Sequence, residues 1–221
     1  MINTTIFLGP SLEINEARKY IKNVVFKGPI KRGDVINEIR NNTKIIGIID
    51  GVFYENAPVC HKEILSALNQ NIMVFGSSSM GALRACEMER YGMIGIGKVF
   101  EQYKYNIINS DDEVAVLYDP LNNIQHTEAL VDIRETLKFA ILNKIISYTD
   151  YYIIIKNIKK IHYCYRNYNF IFSFLNNQKI IKKEKLVSLK EWIENNNIVH
   201  IKKIDSIKLL IHINNIINKN L

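Results

Sequence analysis

Residues 45–51 read Ile45-Ile46-Gly47-Ile48-Ile49-Asp50-Gly51. The run before Asp50 is apolar at every position, so it has no polar face to turn to water. A strand of this kind must be covered on both sides, as a central strand of a parallel sheet is. The surrounding chain agrees. Upstream, Thr5–Leu8 and Val24–Phe26 are short apolar runs closed by Gly9-Pro10 and Gly28-Pro29. Between them, Ser11 can cap a helix through Lys22, and Asp34 can cap a helix over Val35–Arg40. Downstream, Ile64, Leu65 and Leu68 form one stripe of a helix near His61–Asn69. Ile72–Phe75 is a fourth strand and Met80–Arg90 a fourth helix. The alternating order predicts an α/β fold, a small Rossmann-like parallel sheet with flanking helices and right-handed crossovers.

After Tyr91 the pattern changes. Gly92–Gly97 reads as a glycine-punctuated connector, Val99–Tyr105 as a short helix and Val114–Leu117 as a strand. From Thr127 the chain reads as mostly helical, over Glu128–Ile146, Tyr151–Leu175, Ser188–Asn195 and Ser206–Ile217. The aromatic and β-branched density of Tyr151–Phe174 also suits a strand; its length favours helix. The expected organisation is an α/β core over residues 1–146 and a basic, mainly helical C-terminal region over 147–221.

The chain has 221 residues, 48% hydrophobic and 23% charged, which excludes wholesale disorder and a disulfide scaffold. Its three cysteines form no CxxC pair, as expected in a reducing cytoplasm. No apolar stretch is long enough to span a membrane, so no membrane partner is expected. Residues 151–221 carry 13 Lys and Arg against 4 Asp and Glu, a net of +9, while residues 1–150 carry a net of −2. The excess suits an acidic partner. The lysines are scattered rather than clustered, and a nucleic-acid role would rest on charge alone.

Ligands of open α/β sheets bind beyond the carboxyl ends of the strands. Three such ends carry unusual residues: Gly9-Pro10-Ser11; Asp50-Gly51, followed by His61-Lys62-Glu63; and Gly76-Ser77-Ser78-Ser79-Met80-Gly81. The third has the layout of a nucleophile elbow, a serine on a sharp strand-to-helix turn. The simpler reading of those serines is helix capping. As a catalytic set, Ser79 would be the nucleophile, with Ser78 its rival. His61 would be the base, and Asp50 its orienter, with Glu63 a rival. The backbone N–H groups of Met80 and Gly81 would receive an oxyanion or another anion. Gly9, Pro10, Ser11, Gly51, Lys62, Glu63 and Arg84 would contact substrate or partner. Arg84 and Glu87, three apart on one helix, also suit a structural pair. There is no HExxH, no His/Cys cluster and no Walker loop, so neither a metal nor a cofactor is expected.

The string Ser79-Met80-Gly81-Ala82 resembles the stretch around the nucleophilic serine of ClpP peptidases. A longer series of strings resembles the TfuA-like family. It runs from about Thr5 to Ala140: Phe7-Leu8-Gly9-Pro10-Ser11, Lys31-Arg32-Gly33-Asp34-Val35, Ile46–Phe53, His61–Leu65, Gly76–Ala85, Gly92–Gly95, Asp111–Val116 and Ile133-Arg134. The resemblance implies partnership with a YcaO-type enzyme, which spends ATP to activate a backbone amide of a precursor peptide or protein for conversion to a thioamide. The TfuA-like protein would hydrolyse the thiocarboxylate of a ubiquitin-like sulfur-carrier protein to deliver sulfide. The alternative is a non-catalytic module that recruits the peptide substrate or the YcaO partner; a third reading has the Gly76–Gly81 turn bind a nucleotide or phosphate. The sequence departs from the family pattern at Ser77 and Cys60, where apolar residues are usual, and at Tyr118, where a histidine is. The chain beyond about residue 150 shares none of these strings.

Overall fold

A computed structural model describes residues 2–52, 57–122 and 124–219. Phe53, quoted above, lies outside the described residues. By contact the chain divides into two compact units, Met1–Asp111 with Lys202–Leu221, and Asp112–Ile201. The boundary expected after residue 146 falls inside the second unit.

In chain order the first unit contains β1 (Thr4–Phe7), α1 (Ile14–Ala17), β2 (Val25–Lys27), α2 (Asp34–Arg40), β3 (Ile45–Ile48), α3 (His61–Leu68), β4 (Met73–Ser77), α4 (Met80–Met88), β5 (Ile94–Ile96) and α5 (Lys98–Lys104). The strands form one sheet in the order β2-β1-β3-β4-β5, and every pairing is parallel. This is the expected Rossmann-like α/β fold, with the chain reversing direction across the sheet between β1 and β3. All four residues of β3 are buried, as its unbroken apolar run requires. The fifth strand lies inside the stretch read as a connector. Its three residues, Ile94-Gly95-Ile96, are too few to show a period. The first helix is shorter than expected and covers only Ile14–Ala17.

The long helix α10 (Ile201–Lys219) supplies an essential layer. Its Leu209, Leu210, Ile213 and Ile217 pack with Ile6, Leu8, Ile45, Ile49 and Phe75 in one buried cluster. Gly47 permits this: a Cβ there would lie 2.6 Å from the Ile6 side chain and 3.0 Å from that of Ile213. The next residue along β4 after Phe75, Gly76, faces the other way, toward Ala85 and the Gly81 carbonyl of α4.

The second unit holds the hairpin β6 (Tyr118–Asp119) and β7 (Ile124–Gln125), then α6 (Leu130–Leu142), α7 (Tyr148–Ile158), α8 (Tyr168–Asn177) and α9 (Lys183–Glu194). The expected strand Val114–Leu117 is not one: Val114 and Ala115 are buried without strand pairing, and the hairpin starts at Tyr118. The expected helix Tyr151–Leu175 is two helices. Asn157, Lys160 and His162 interrupt the apolar stripe, and Asn167 caps α8 through the Phe170 N–H. The α7 start is a capping box, Ser147 with Asp150. Arg166 is completely buried; it donates to the carbonyls of Ile161 and Asp112 and pairs with the Asp112 carboxylate. Among the described residues no helix is long and apolar enough to cross a membrane.

Glu38 on α2 ties down the β1–β3 side of the sheet. It accepts hydrogen bonds from Thr5 (2.6 Å), Thr43 (2.7 Å) and Lys27. Burial alone would raise its pKa; the bonds from Lys27, Thr5 and Thr43 outweigh burial and hold it below the ordinary 4.5. A carboxyl depressed in the folded state contributes stability above its unfolded pKa and loses it as pH falls through the folded one. Glu38→Gln should therefore cost about 2 kcal/mol at neutral pH. It should also reduce the loss of stability on acidification below about pH 4.5, measured by urea unfolding across pH.

Candidate functional site

The carboxyl ends of β1, β3 and β4 carry the candidate residues. Asp50 follows β3 and is buried at 1% exposure. Its Oδ2 accepts the N–H groups of Gly9 (2.9 Å) and Ser11 (3.1 Å), and its Oδ1 accepts the Ser11 hydroxyl at 2.6 Å. One carboxylate thus fixes the turn after β1 at the point where the sheet order reverses. Gly9 must be small, because a Cβ would lie 2.6 Å from Pro29. Pro10 is half-buried beside it. Gly51 lies against Met80, which would be 2.7 Å from an added Cβ.

The turn after β4 distributes its three serines differently. The Ser77 hydroxyl donates to the Asp205 carbonyl at 3.0 Å, and the Ser78 hydroxyl to the Lys202 carbonyl at 2.8 Å. Both are wholly buried and serve to seat the start of α10. Ser78 takes φ +67°, the left-handed conformation that makes the elbow sharp. Ser79 occupies the N-cap position of α4, yet its side chain makes no capping bond. Among the described residues its hydroxyl has no hydrogen-bond partner.

The free backbone donors are fewer than the sequence suggests. The Gly81 N–H donates to the Ile49 carbonyl at 3.2 Å, so it cannot serve an oxyanion while α4 sits on β3. The Ala82 and Leu83 N–H groups bond the Ser79 carbonyl. The Met80 N–H has no hydrogen bond among the described residues and stands at the positive end of the helix.

His61 begins α3, half exposed, and its Nε2 lies 2.8 Å from Glu87 Oε2. Arg84 reaches the same oxygen at 2.6 Å and the Val59 carbonyl at 3.2 Å. Glu87, not Asp50, therefore orients His61; the Asp50 oxygens are committed to the β1 turn. Glu63 is also committed, to the Gly33 N–H at 2.8 Å. Lys62 is exposed. Arg84 and Glu87 line a cleft of about 530 Å³ with Pro58, Met80, Leu83 and residues 109–111. The Arg84–Glu87 spacing was readable along one helix; the His61–Glu87 contact, 26 residues apart, needed the fold. Burial, with Glu87 and Glu89 nearby, pushes the Cys86 thiol up, away from the thiolate form a nucleophile needs.

Asp205 shows how the elbow is backed. It is fully buried on α10, accepts the Val99 N–H at 2.7 Å, and fills the space over Gly97 where a Cβ would lie 2.3 Å from its Cγ. Burial raises its pKa despite that bond, the Lys98 N–H and Lys208.

These contacts set the stability of the serine variants. Ser77→Ala and Ser78→Ala should each cost about 1 kcal/mol, and Asp50→Ala about 3 kcal/mol. Ser79 is buried at 3% exposure but its hydroxyl makes no hydrogen bond among the described residues, so Ser79→Ala should stay within about 0.5 kcal/mol of the parent. Urea midpoints would check the ranking.

A model of the TfuA-like protein family matches residues 50–167. The match starts at Asp50, covers the serine turn and α4, and runs through much of the helical second unit. No curated protein matches the chain. The family match spans just over half of the 221 residues and takes in most of the strings quoted above, and so the chain belongs to the TfuA-like family.

Proposed function

We propose that this protein is an accessory enzyme of YcaO-dependent peptide-backbone thioamidation, which hydrolyses the C-terminal thiocarboxylate of a ubiquitin-like sulfur-carrier protein and hands on sulfide. Family membership supports the setting. The observation that carries the chemistry is the unengaged Ser79 hydroxyl on the sharp turn from β4 into α4, where its two neighbouring serines are tied to α10.

In this reading the Ser79 Oγ attacks the thiocarboxylate carbon, and its proton passes to His61. Glu87 holds the imidazole and stabilises its cationic form. The oxyanion forms near the Met80 N–H. The C–S bond breaks and sulfide leaves with the proton returned by His61. Water, giving a proton to His61, then attacks the acyl-serine; a new C–O bond forms, the bond from the acyl carbon to Ser79 Oγ breaks, His61 returns the proton to Oγ, and the carrier departs as an ordinary carboxylate. No oxidant or reductant is required. Arg84, lining the cleft, offers positive charge to the anionic carrier end. Gly9, Pro10, Ser11, Gly51 and Lys62 border the route along the carboxyl edge of the sheet. Gly81 and Glu63 have structural parts here, and Asp50 acts by holding the β1 turn.

One observation favours the recruiting module instead: Asp50 is wholly spent on Gly9 and Ser11. Sulfide release from a thiocarboxylated carrier separates the two. Ser79→Ala should lower release by at least ~10³-fold and His61→Ala by roughly 10²-fold, with folding unchanged. Equal release with and without the protein, together with tight binding of the precursor peptide, would establish the recruiting module.

A further inference from the structure

Within the second unit, Glu128, Asp132 and His200 bring two carboxylates and an imidazole together, with one ligand atom from each lying within 4.8 Å of the others. None of them belongs to the serine site. Glu128 precedes α6 and is half-buried; Asp132 lies in its first turn at 3% exposure. His200 is exposed, and among the described residues its ring has no hydrogen bond or ion pair. Its placement is nevertheless fixed. The Val199 N–H donates at 3.0 Å to the Thr136 hydroxyl, one helical turn beyond Asp132 on α6.

The Tyr168 hydroxyl, at the start of α8, is buried beside the Thr136 side chain and within electrostatic reach of Glu128 and Asp132. Two carboxylates brought this close repel one another, at a cost. A cation between them would offset that cost. Two ligands on one zinc-sized ion at about 2.1 Å stand about 3.4 Å apart at the tetrahedral angle. The three ligand atoms, within 4.8 Å of one another, must draw together to reach that spacing, and the exposed imidazole is the part freest to move. Mixed carboxylate and imidazole donors suit a borderline transition ion better than magnesium or calcium, which take oxygen ligands.

We propose that Glu128, Asp132 and His200 form a binding site for a divalent transition cation of the zinc class, with water completing the coordination. The ion would clamp the segment entering α10 onto the start of α6.

The test is titration of the chelator-treated full-length protein with Zn2+ by calorimetry, and with Co2+ by visible absorption. One equivalent of each should bind, with the d–d bands of a low-coordinate Co2+ site. His200→Ala and Glu128→Gln should each weaken binding by roughly 10–100-fold or more, with unchanged far-ultraviolet circular dichroism. Zn2+ should raise the thermal midpoint of the parent and not of His200→Ala. The proposal is overturned if the parent binds neither ion stoichiometrically, if both variants bind as the parent does, or if only Mg2+ or Ca2+ binds. His200 is exposed and its ring makes no hydrogen bond or ion pair among the described residues, so its variant gives a decision even if Glu128→Gln misfolds.

Discussion

A Cβ on Gly81 would stand 1.8 Å from the Ile48 carbonyl oxygen, so the first turn of α4 meets the end of β3 backbone against backbone. No side chain fits between them. The Gly81 N–H then reaches the Ile49 carbonyl and locks the approach. Much of the candidate site follows from this closeness. It lays Met80 over Gly51, leaves the Met80 N–H at the helix tip, and forces the chain from β4 to α4 through so short a turn that Ser78 adopts a left-handed conformation. The same contact removes Gly81 from the donors that an oxyanion could use. The fold supplies a sharp serine turn and in exchange spends one backbone N–H on its own cohesion.

The sheet was readable because its signal is local. Ile45–Ile49 admits no exposed face, and the spacing of Ile64, Leu65 and Leu68 admits little besides a helix. What escaped was whatever depends on a short segment or a distant partner. The strand Ile94–Ile96 has too few residues to show a period. The break near Tyr163 is set by Asn and His residues that interrupt the apolar stripe only slightly. The pairing of His61 with Glu87 crosses 26 residues, and those of Ser77 and Ser78 with α10 cross 128 and 124. Asp50 stands out in the sequence as a residue at a strand end, but its partners had to be seen. Three donors from the β1 turn surround it, and an imidazole elsewhere cannot compete with them.

The basic C-terminal stretch also reads differently in three dimensions. The sequence treats it as an appendage with net charge +9. Its last helix is instead part of the α/β core, with Leu209, Leu210 and Ile213 completely buried. Several of its lysines are answered nearby, Lys203 by Glu16 at 2.7 Å and Lys185 by Asp150. Such exposed pairs add little stability, but they leave less charge for steering a partner than the count suggests. The helix also carries the carbonyls that hold Ser77 and Ser78. Residues at the far end of the chain therefore select which of the three serines keeps a free hydroxyl.

The central claim is that this hydroxyl, on Ser79, is a nucleophile. Rapid acid quenching of the protein mixed with a thiocarboxylated sulfur-carrier protein, followed by intact-mass and peptide mapping, tests it directly. The account predicts a transient adduct equal to the carrier acyl group, mapped to Ser79, formed as sulfide appears and absent in Ser79→Ala. Sulfide release with no adduct at any time, or with the acyl group on another residue, would contradict it.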